Sequence, residues 1–279
     1  MIDKIIEQEL IEVSKRMRID ILQMINQAGS GHPGPTFSIV EILAYLFFHK
    51  MRIDPRQPNA PDRDRFVLSK GHASPALYAA LFERGYFGEK EMLSLRKVGS
   101  TLQGHPSVKT DGIDATTGSL GIGLSQAVGM ALGAKIHKSD IKVFALIGDG
   151  ECDEGQIWEA ALFASHQHLD NLYVFIDNNH DQYEGHVCDV LDLEPFDKKW
   201  ESFNWHTKII NGHDFVDLDN FFFDCEQIEH FPHIAIAQTH KGYGVSFMDN
   251  NPEYHARALN EGEFIEAINE LKSDEKIQK

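Results

Sequence analysis

Apolar positions recur at three- and four-residue steps through "IIEQELIEVSKRMRIDILQMINQAG" (5–29), and Gly29 ends the run. That period predicts one long helix, or two short ones, with one buried face. "GHPGPT" (31–36) reads as a rigid turn. "FSIVEILAYLFFHKM" (37–51) is apolar around its whole circumference, which predicts a second, buried helix. A loop dense in Pro, Asn and Asp (52–64) precedes a short strand, "RFVLSK" (65–70). Helices are predicted over 73–87 and 88–95. The stretch from Gly99 to Gly123 has no regular period, and irregular stretches of that length are often functional. A helix rich in small residues follows (124–139).

The remaining pattern alternates strand and helix. Strands are predicted at "IKVFALIGDG" (141–150), "LDNLYVFIDNN" (169–179), "TKIIN" (207–211) and "HIAIAQTH" (233–240). Helices are predicted at 154–168, 195–206, 214–227 and 258–276. The cores "KVFALI" and "NLYVFI" are almost wholly apolar, as parallel strands covered on both faces must be. The expected architecture is a single α/β domain over residues 1–279, a doubly wound, mostly parallel sheet flanked by helices. Residues up to about 110 would supply helical layers and one strand; the rest of the sheet comes later.

Composition narrows the function classes. The chain carries 43 acidic and 26 basic residues, a formal net charge of -17. That balance argues against a nucleic-acid groove, which needs a concentrated basic face. Three cysteines, with no CxxC pair, make neither a disulfide framework nor a cysteine-rich zinc site. No run approaches a membrane span and the charged N-terminus is not a signal peptide, so a cytoplasmic enzyme is expected.

Two of the apolar strands end in small oxygen-bearing residues: Gly148-Asp149-Gly150 and Asn178-Asn179. Ligands of open α/β sheets bind beyond the carboxyl ends of strands. If these strands are neighbours, Asp149 and Asn179 converge there as hard oxygen donors for magnesium or calcium. Gly148 and Gly150 let the chain turn and leave amides open to a diphosphate. Either motif alone also suits an ordinary turn. Four histidines, His32, His72, His105 and His255, lie in glycine- or proline-bearing loops, where an imidazole can move a proton near neutral pH. The histidines of "HQH" (166–168) and "QTH" (238–240) are expected to be structural or exposed. Trp158 and Phe163, on the helix after Glu154, are expected in the core.

The chain resembles the transketolase family. The likeness rests on the Gly148-Asp149-Gly150 to Asn178-Asn179 motif, "GHPG" (31–34), "DRDRFVLSKGHASPALYA" (62–79), "GHP" (104–106), "TTGSLGIGLSQAVGMALG" (116–133) and "KGYGVSFMDNNPEYH" (241–255). It covers the N-terminal, diphosphate-binding section of that family. The resemblance implies a thiamine-diphosphate-binding fold, thiamine diphosphate and Mg2+ as cofactors (Ca2+ as a possible substitute), and ketol transfer between small sugars. It implies Asp149, Asn179 and the backbone carbonyl of Asp181 as metal ligands. Gly148, Gly150 and Glu151 would lie against the diphosphate, with His72 near the phosphates. Gly118, Ser119 and Leu120 would line the thiazolium ring. His32 and His105 would face substrate hydroxyls and His255 the cofactor and substrate channel. Glu154 would join an acidic network between paired active sites.

The same resemblance implies a separate C-terminal subunit carrying the pyrimidine-binding domain, in an α2β2 assembly. Tyr183 replaces an isoleucine against the thiazolium, Asp181 replaces another, and Ala256 stands where glycine is common. A subunit of another thiamine-dependent lyase or of a 2-oxo-acid dehydrogenase is the alternative enzyme. A structural or regulatory partner without catalysis is the alternative from another class.

Overall fold

The computed structural model describes residues 2–273. Its centre is a five-stranded sheet of β1 (Arg65–Leu68), β2 (Val143–Gly148), β3 (Leu172–Asn178), β4 (His206–Asn211) and β5 (His233–Gln238). The strand order is β1-β2-β3-β5-β4 and every pairing is parallel. β2 and β3 are buried at every position, which explains their unbroken apolar runs. Successive side chains of a strand point to opposite faces. Phe144, Leu146, Tyr173 and Phe175 accordingly enter one core cluster, and Val143, Ala145, Ile147, Val174 and Ile176 enter the other.

The first face is covered by α1 (Lys4–Ala28), α2 (Pro33–Phe37), α3 (Val40–Tyr45), α4 (Ser74–Glu83) and α5 (Glu89–Met92). The second is covered by α6 (Ile122–Ile136), α7 (Gly155–His166) and, after the short α8 (Val187–Val190), by α9 (Phe196–Ser202). α10 (Phe215–Cys225) and α11 (Glu261–Lys272) return to the first face. Sheet covered on both sides is the doubly wound arrangement expected from the sequence.

The N-terminal segment is one continuous helix. Asp3 caps its start by accepting from the Ile5 amide at 2.7 Å, and Gly29 ends it at φ +65°. Two expectations change. "GHPGPT" is not a turn throughout, because Pro33 begins the short helix α2, whose first position tolerates a residue without an N–H. The expected second helix is divided: α3 is followed by a wider π-helical turn at Leu46–Lys50. Asn260 and Glu263 form a capping box on α11. The end of the helix expected over 258–276 lies partly outside the described residues. No helix among the described residues is long and apolar enough to cross a membrane.

Candidate active site at the carboxyl ends of β2 and β3

β2 and β3 are adjacent, with Gly148 opposite Asp177, so the residues that follow them meet. The carboxylate of Asp149 is 3% exposed. Its Oδ1 accepts from the Gly150 amide at 2.8 Å, and its Oδ2 accepts from the His180 amide at 2.6 Å. The chain leaving β3 is thus clamped onto the chain leaving β2. Burial, followed by the neighbouring charge of Asp177, pushes the Asp149 pKa up to about 7. Two neutral amides do not balance a buried carboxylate; a cation would. Asn179 turns its Oδ1 to the Asp181 amide at 3.2 Å and donates from Nδ2 to Asp177 Oδ2 at 2.8 Å. Asp149, the Asn179 amide oxygen and the carbonyl of Asp181 are hard oxygen donors of the kind that could hold magnesium or calcium.

A buried ion pair lies beneath. Asp177 is fully buried and takes the Nζ of Lys70, with further hydrogen bonds from Ser38 Oγ at 2.7 Å and from the Thr239 hydroxyl. Lys70 also donates to the Pro35 carbonyl at 3.0 Å. This draws β1, α2, β3 and β5 together under the site. Sequence reasoning missed Lys70, Asp177 and Lys241. The one available signal was a lone charged residue at the end of an otherwise apolar strand.

Above the strand ends is a cavity of about 620 Å3, lined by His32, His72, Gly118, Leu120, Gly148, Asp149, Gly150, Asn179, Asp181, Tyr183, Glu154, Lys241 and His255, among others. The rings of His32 and His72 are 5.2 Å apart, those of His72 and His255 5.7 Å, and those of His32 and His255 6.0 Å. Three loops distant in sequence therefore present three imidazoles to one space. Burial lowers His32 to about 4, His72 to about 2 and His255 to about 3, so all three are neutral near pH 7. Neutral imidazoles can both donate to and accept from hydroxyls. Nδ1 of His32 is buried with no partner among the described residues, a polar atom left for a ligand. Lys241, itself lowered to about 8 chiefly by burial, contacts His255 Nδ1 at 2.9 Å.

The other expected residues divide. His105 is exposed outside that triad, its ring against Gly118 and Gly71. Ser119 is exposed beside the lining residues Gly118 and Leu120. Tyr183 is 75% exposed and sets its ring against His255 at 5.6 Å. Glu154 is exposed at the start of α7. Glu151 borders the cavity, but its carboxylate is engaged from within. It accepts from the amides of Gly121 at 2.8 Å and Gly148 at 3.0 Å and from the Ser69 hydroxyl. It holds the diphosphate-side loops in place rather than offering them a free group. Trp158 packs on Trp200 and Phe203 as expected. Phe163 does not join the core: it is 45% exposed on α7.

The loop 241–255 reaches the site through a close backbone approach. The Gly242 amide donates to the Gly34 carbonyl at 3.1 Å, and a Cβ on Gly34 would lie 3.0 Å from the Tyr254 carbonyl oxygen. The glycines of "GHPG" and "KGYG" thus let two loops touch, which brings His32 beside His255.

Known proteins resemble this chain along almost its whole length. Residues 6–276 match the family described as transketolase, thiamine diphosphate binding domain. The chain is 42% identical to the 6-deoxy-6-sulfo-D-fructose transketolase subunit SqwG of Clostridium sp. (strain MSTE9), covering 91% of this chain and 92% of that protein. It is 38% identical to one subunit of the apulose-4-phosphate transketolase of Phocaeicola vulgatus, covering 95% and 94%. Human transketolase is 41% identical over 95% of this chain, which spans only 42% of that protein. The crystal structure of transketolase from Campylobacter jejuni superposes with a TM-score of 0.90 at 31% identity, covering 95% of this chain and 43% of that one. The chain belongs to the transketolase family and corresponds to its thiamine diphosphate binding domain.

Proposed function

We propose that this chain is the N-terminal subunit of a two-component transketolase, which moves a two-carbon ketol unit from a ketose to an aldehyde. The observation that carries this reading is the clamp of Asp149 onto the chain leaving β3, in the cavity that three neutral histidines also line. It is supported by the two relatives of matching length, both named as transketolase subunits. We read residues 1–279 as one diphosphate-binding domain and assign the pyrimidine-binding domain to a separate subunit in an α2β2 assembly.

In this reading Asp149, Asn179 and the Asp181 carbonyl hold Mg2+, and the Gly150 amide meets the diphosphate at the turn after β2. Thiamine diphosphate supplies, when bound, an electron sink for cleaving the bond beside a ketose carbonyl. The chain's own residues orient the sugar and move its protons. His32, with an unpartnered Nδ1, and His105 at the rim meet hydroxyls of donor and acceptor. His72 and His255 stand nearer the cofactor, and Lys241 fixes the His255 ring. Tyr183 narrows the entrance. Both relatives are named for ketoses bearing an anionic group, a sulfonate or a phosphate. We assign this chain a ketose of the same anionic class.

The test is ketol transfer by the chain mixed with a pyrimidine-domain partner, with and without thiamine diphosphate and Mg2+. Turnover that needs both proteins and both cofactors is expected. Thiamine-independent turnover, or full turnover by this chain alone, would overturn the assignment.

A further inference from the structure

A second constellation lies at the other end of the sheet. His206 opens β4 and His233 opens β5, and the two residues are register partners. Cys225 is the last residue of α10, which packs on β4. One ligand atom from each falls within 4.8 Å of the others. Nδ1 of His206 lies 3.1 Å from Nδ1 of His233 and 3.7 Å from Sγ of Cys225. Strands rise about 3.3 Å per residue, and His233 is level with Tyr173, so this cluster is roughly 20 Å from Asn179 at the carboxyl ends. The proposed ketol transfer uses none of it.

The spacing has a specific meaning. Tetrahedral zinc binds imidazole at about 2.0–2.1 Å and thiolate at about 2.3 Å, which requires edges of roughly 3.4 Å between nitrogens and 3.6 Å from nitrogen to sulfur. The two separations from His206, 3.1 and 3.7 Å, are close to those edges, and the third pair of ligand atoms lies within 4.8 Å. The rings are also held in place before any ion arrives. His206 stacks on Phe221 with an interplanar angle of 6°, and His233 stacks on Tyr173 at 4.9 Å. The two imidazoles cross at 86°, so their nitrogens converge from different directions. Cys225 and His233 are buried at 2% and 1% exposure, while His206 is partly exposed.

We propose that His206, Cys225 and His233 bind a zinc ion that ties β4, β5 and α10 together at the amino-terminal edge of the sheet. Three protein ligands leave one position, which a water reaches past the partly exposed His206. Binding releases the thiol proton of Cys225 and requires both Nδ1 atoms unprotonated, with each imidazole proton on Nε2. The role is structural, because the site lies far from the cavity. It also departs from composition, which argued against a cysteine-rich zinc site: one cysteine suffices when two histidines join it.

The test uses the untagged, full 279-residue chain. Metal analysis after gel filtration should find about one zinc per chain, and its removal by a chelator should lower the Tm. With cobalt in its place, a thiolate-to-cobalt charge-transfer band should appear in the near ultraviolet. The cation site at Asp149 offers only oxygen, so it cannot produce that band. Cys225→Ala and His206→Ala should abolish it; Cys188→Ser and Asp149→Ala should keep it. Should Cys225→Ala fold poorly, the wild-type spectrum and the partly exposed His206→Ala decide the matter. No charge-transfer band in the wild type, or a band retained in His206→Ala, would overturn the proposal. Either result would make the cluster a chain of hydrogen bonds alone.

Discussion

Lys70 reaches Asp177 from the end of β1, across a separation of 107 residues in sequence, and both side chains are almost fully buried. The neighbouring buried carboxylate, Asp149, is held by backbone amides instead. One of the two acids is thus neutralised by the protein's own cation, and the other has only backbone amides on its oxygens. Removing one partner of a buried pair leaves an uncompensated charge, a cost of about 3–5 kcal/mol. Lys70→Met should therefore lower unfolding stability by that order in chemical denaturation. Thr239→Val, which removes only one of several donors to Asp177, should cost about 1 kcal/mol. A Lys70→Met protein as stable as the wild type would show that the pair does not anchor the site.

A second buried network governs stability in acid. Arg18 grips Glu41 with two hydrogen bonds, at 2.6 and 2.9 Å, and His213 Nδ1 meets the same carboxylate at 2.9 Å. The amide of His240 donates to His213 Nε2, so the ring donates to Glu41 from Nδ1. Tyr243, whose carbonyl accepts from Arg18, faces the group as well. Burial alone would raise Glu41, but Arg18 and His213 outweigh it and lower the pKa to about 2. A depressed carboxylate contributes stability above its unfolded pKa and loses it as pH falls. The window runs from about 4.5 down to about 2, with an amplitude on the order of 3 kcal/mol. Denaturation curves across that range should show the loss. Glu41→Gln should start less stable and lack this component of the slope; an unchanged slope would contradict the assignment.

The site histidines should act on turnover rather than on folding. His32→Ala and His105→Ala should each lower kcat/KM of the assembled enzyme by about 10²-fold. Their thermal unfolding should stay close to the wild type, since both lie in polar loops. The three site histidines of the cavity are already neutral at pH 7, so their titration should put no step in the rate profile near 6.5. Wild-type kinetics for both variants would reject their placement.

Gly242 should be intolerant of any side chain. Its φ is +74°, and an added Cβ would lie 2.2 Å from the Met248 carbonyl oxygen. Gly242→Ala should displace the loop that carries Lys241 and His255, lower stability by about 1–3 kcal/mol and cost turnover as well. Gly129→Ala, in open space on α6, is the matched control and should be neutral or slightly stabilising. Equal behaviour of the two variants would show that the backbone approach is dispensable.

Much of this was legible in the chain. Strands buried on both faces are apolar throughout, so "KVFALI" and "NLYVFI" announced a covered parallel sheet, and their ends announced a meeting of Asp149 with Asn179. What stayed hidden depends on distance in sequence. Nothing local in "LSKGH" says that Lys70 will lie against Asp177, or that Lys241 will touch His255. Glu151 borders the cavity, but nothing local says that its carboxylate will turn onto the amides of Gly121 and Gly148. Phe163 looked like core because it is aromatic, yet it lies on the exposed side of α7. The pairing of His206 with His233 needed the β4–β5 register, which no periodicity reveals.

Asp149 and Asn179, at neighbouring strand ends, are the residues proposed to hold the metal that fixes the diphosphate. Titration calorimetry of thiamine diphosphate into the assembled protein, with and without Mg2+, measures that role most directly. In Asp149→Ala the magnesium-dependent affinity should fall on the order of 100-fold, about 2.8 kcal/mol, with the fold intact by circular dichroism. Asn179→Ala should lose less, because it removes a neutral ligand. A folded Asp149→Ala protein that keeps wild-type, magnesium-dependent affinity would contradict the account.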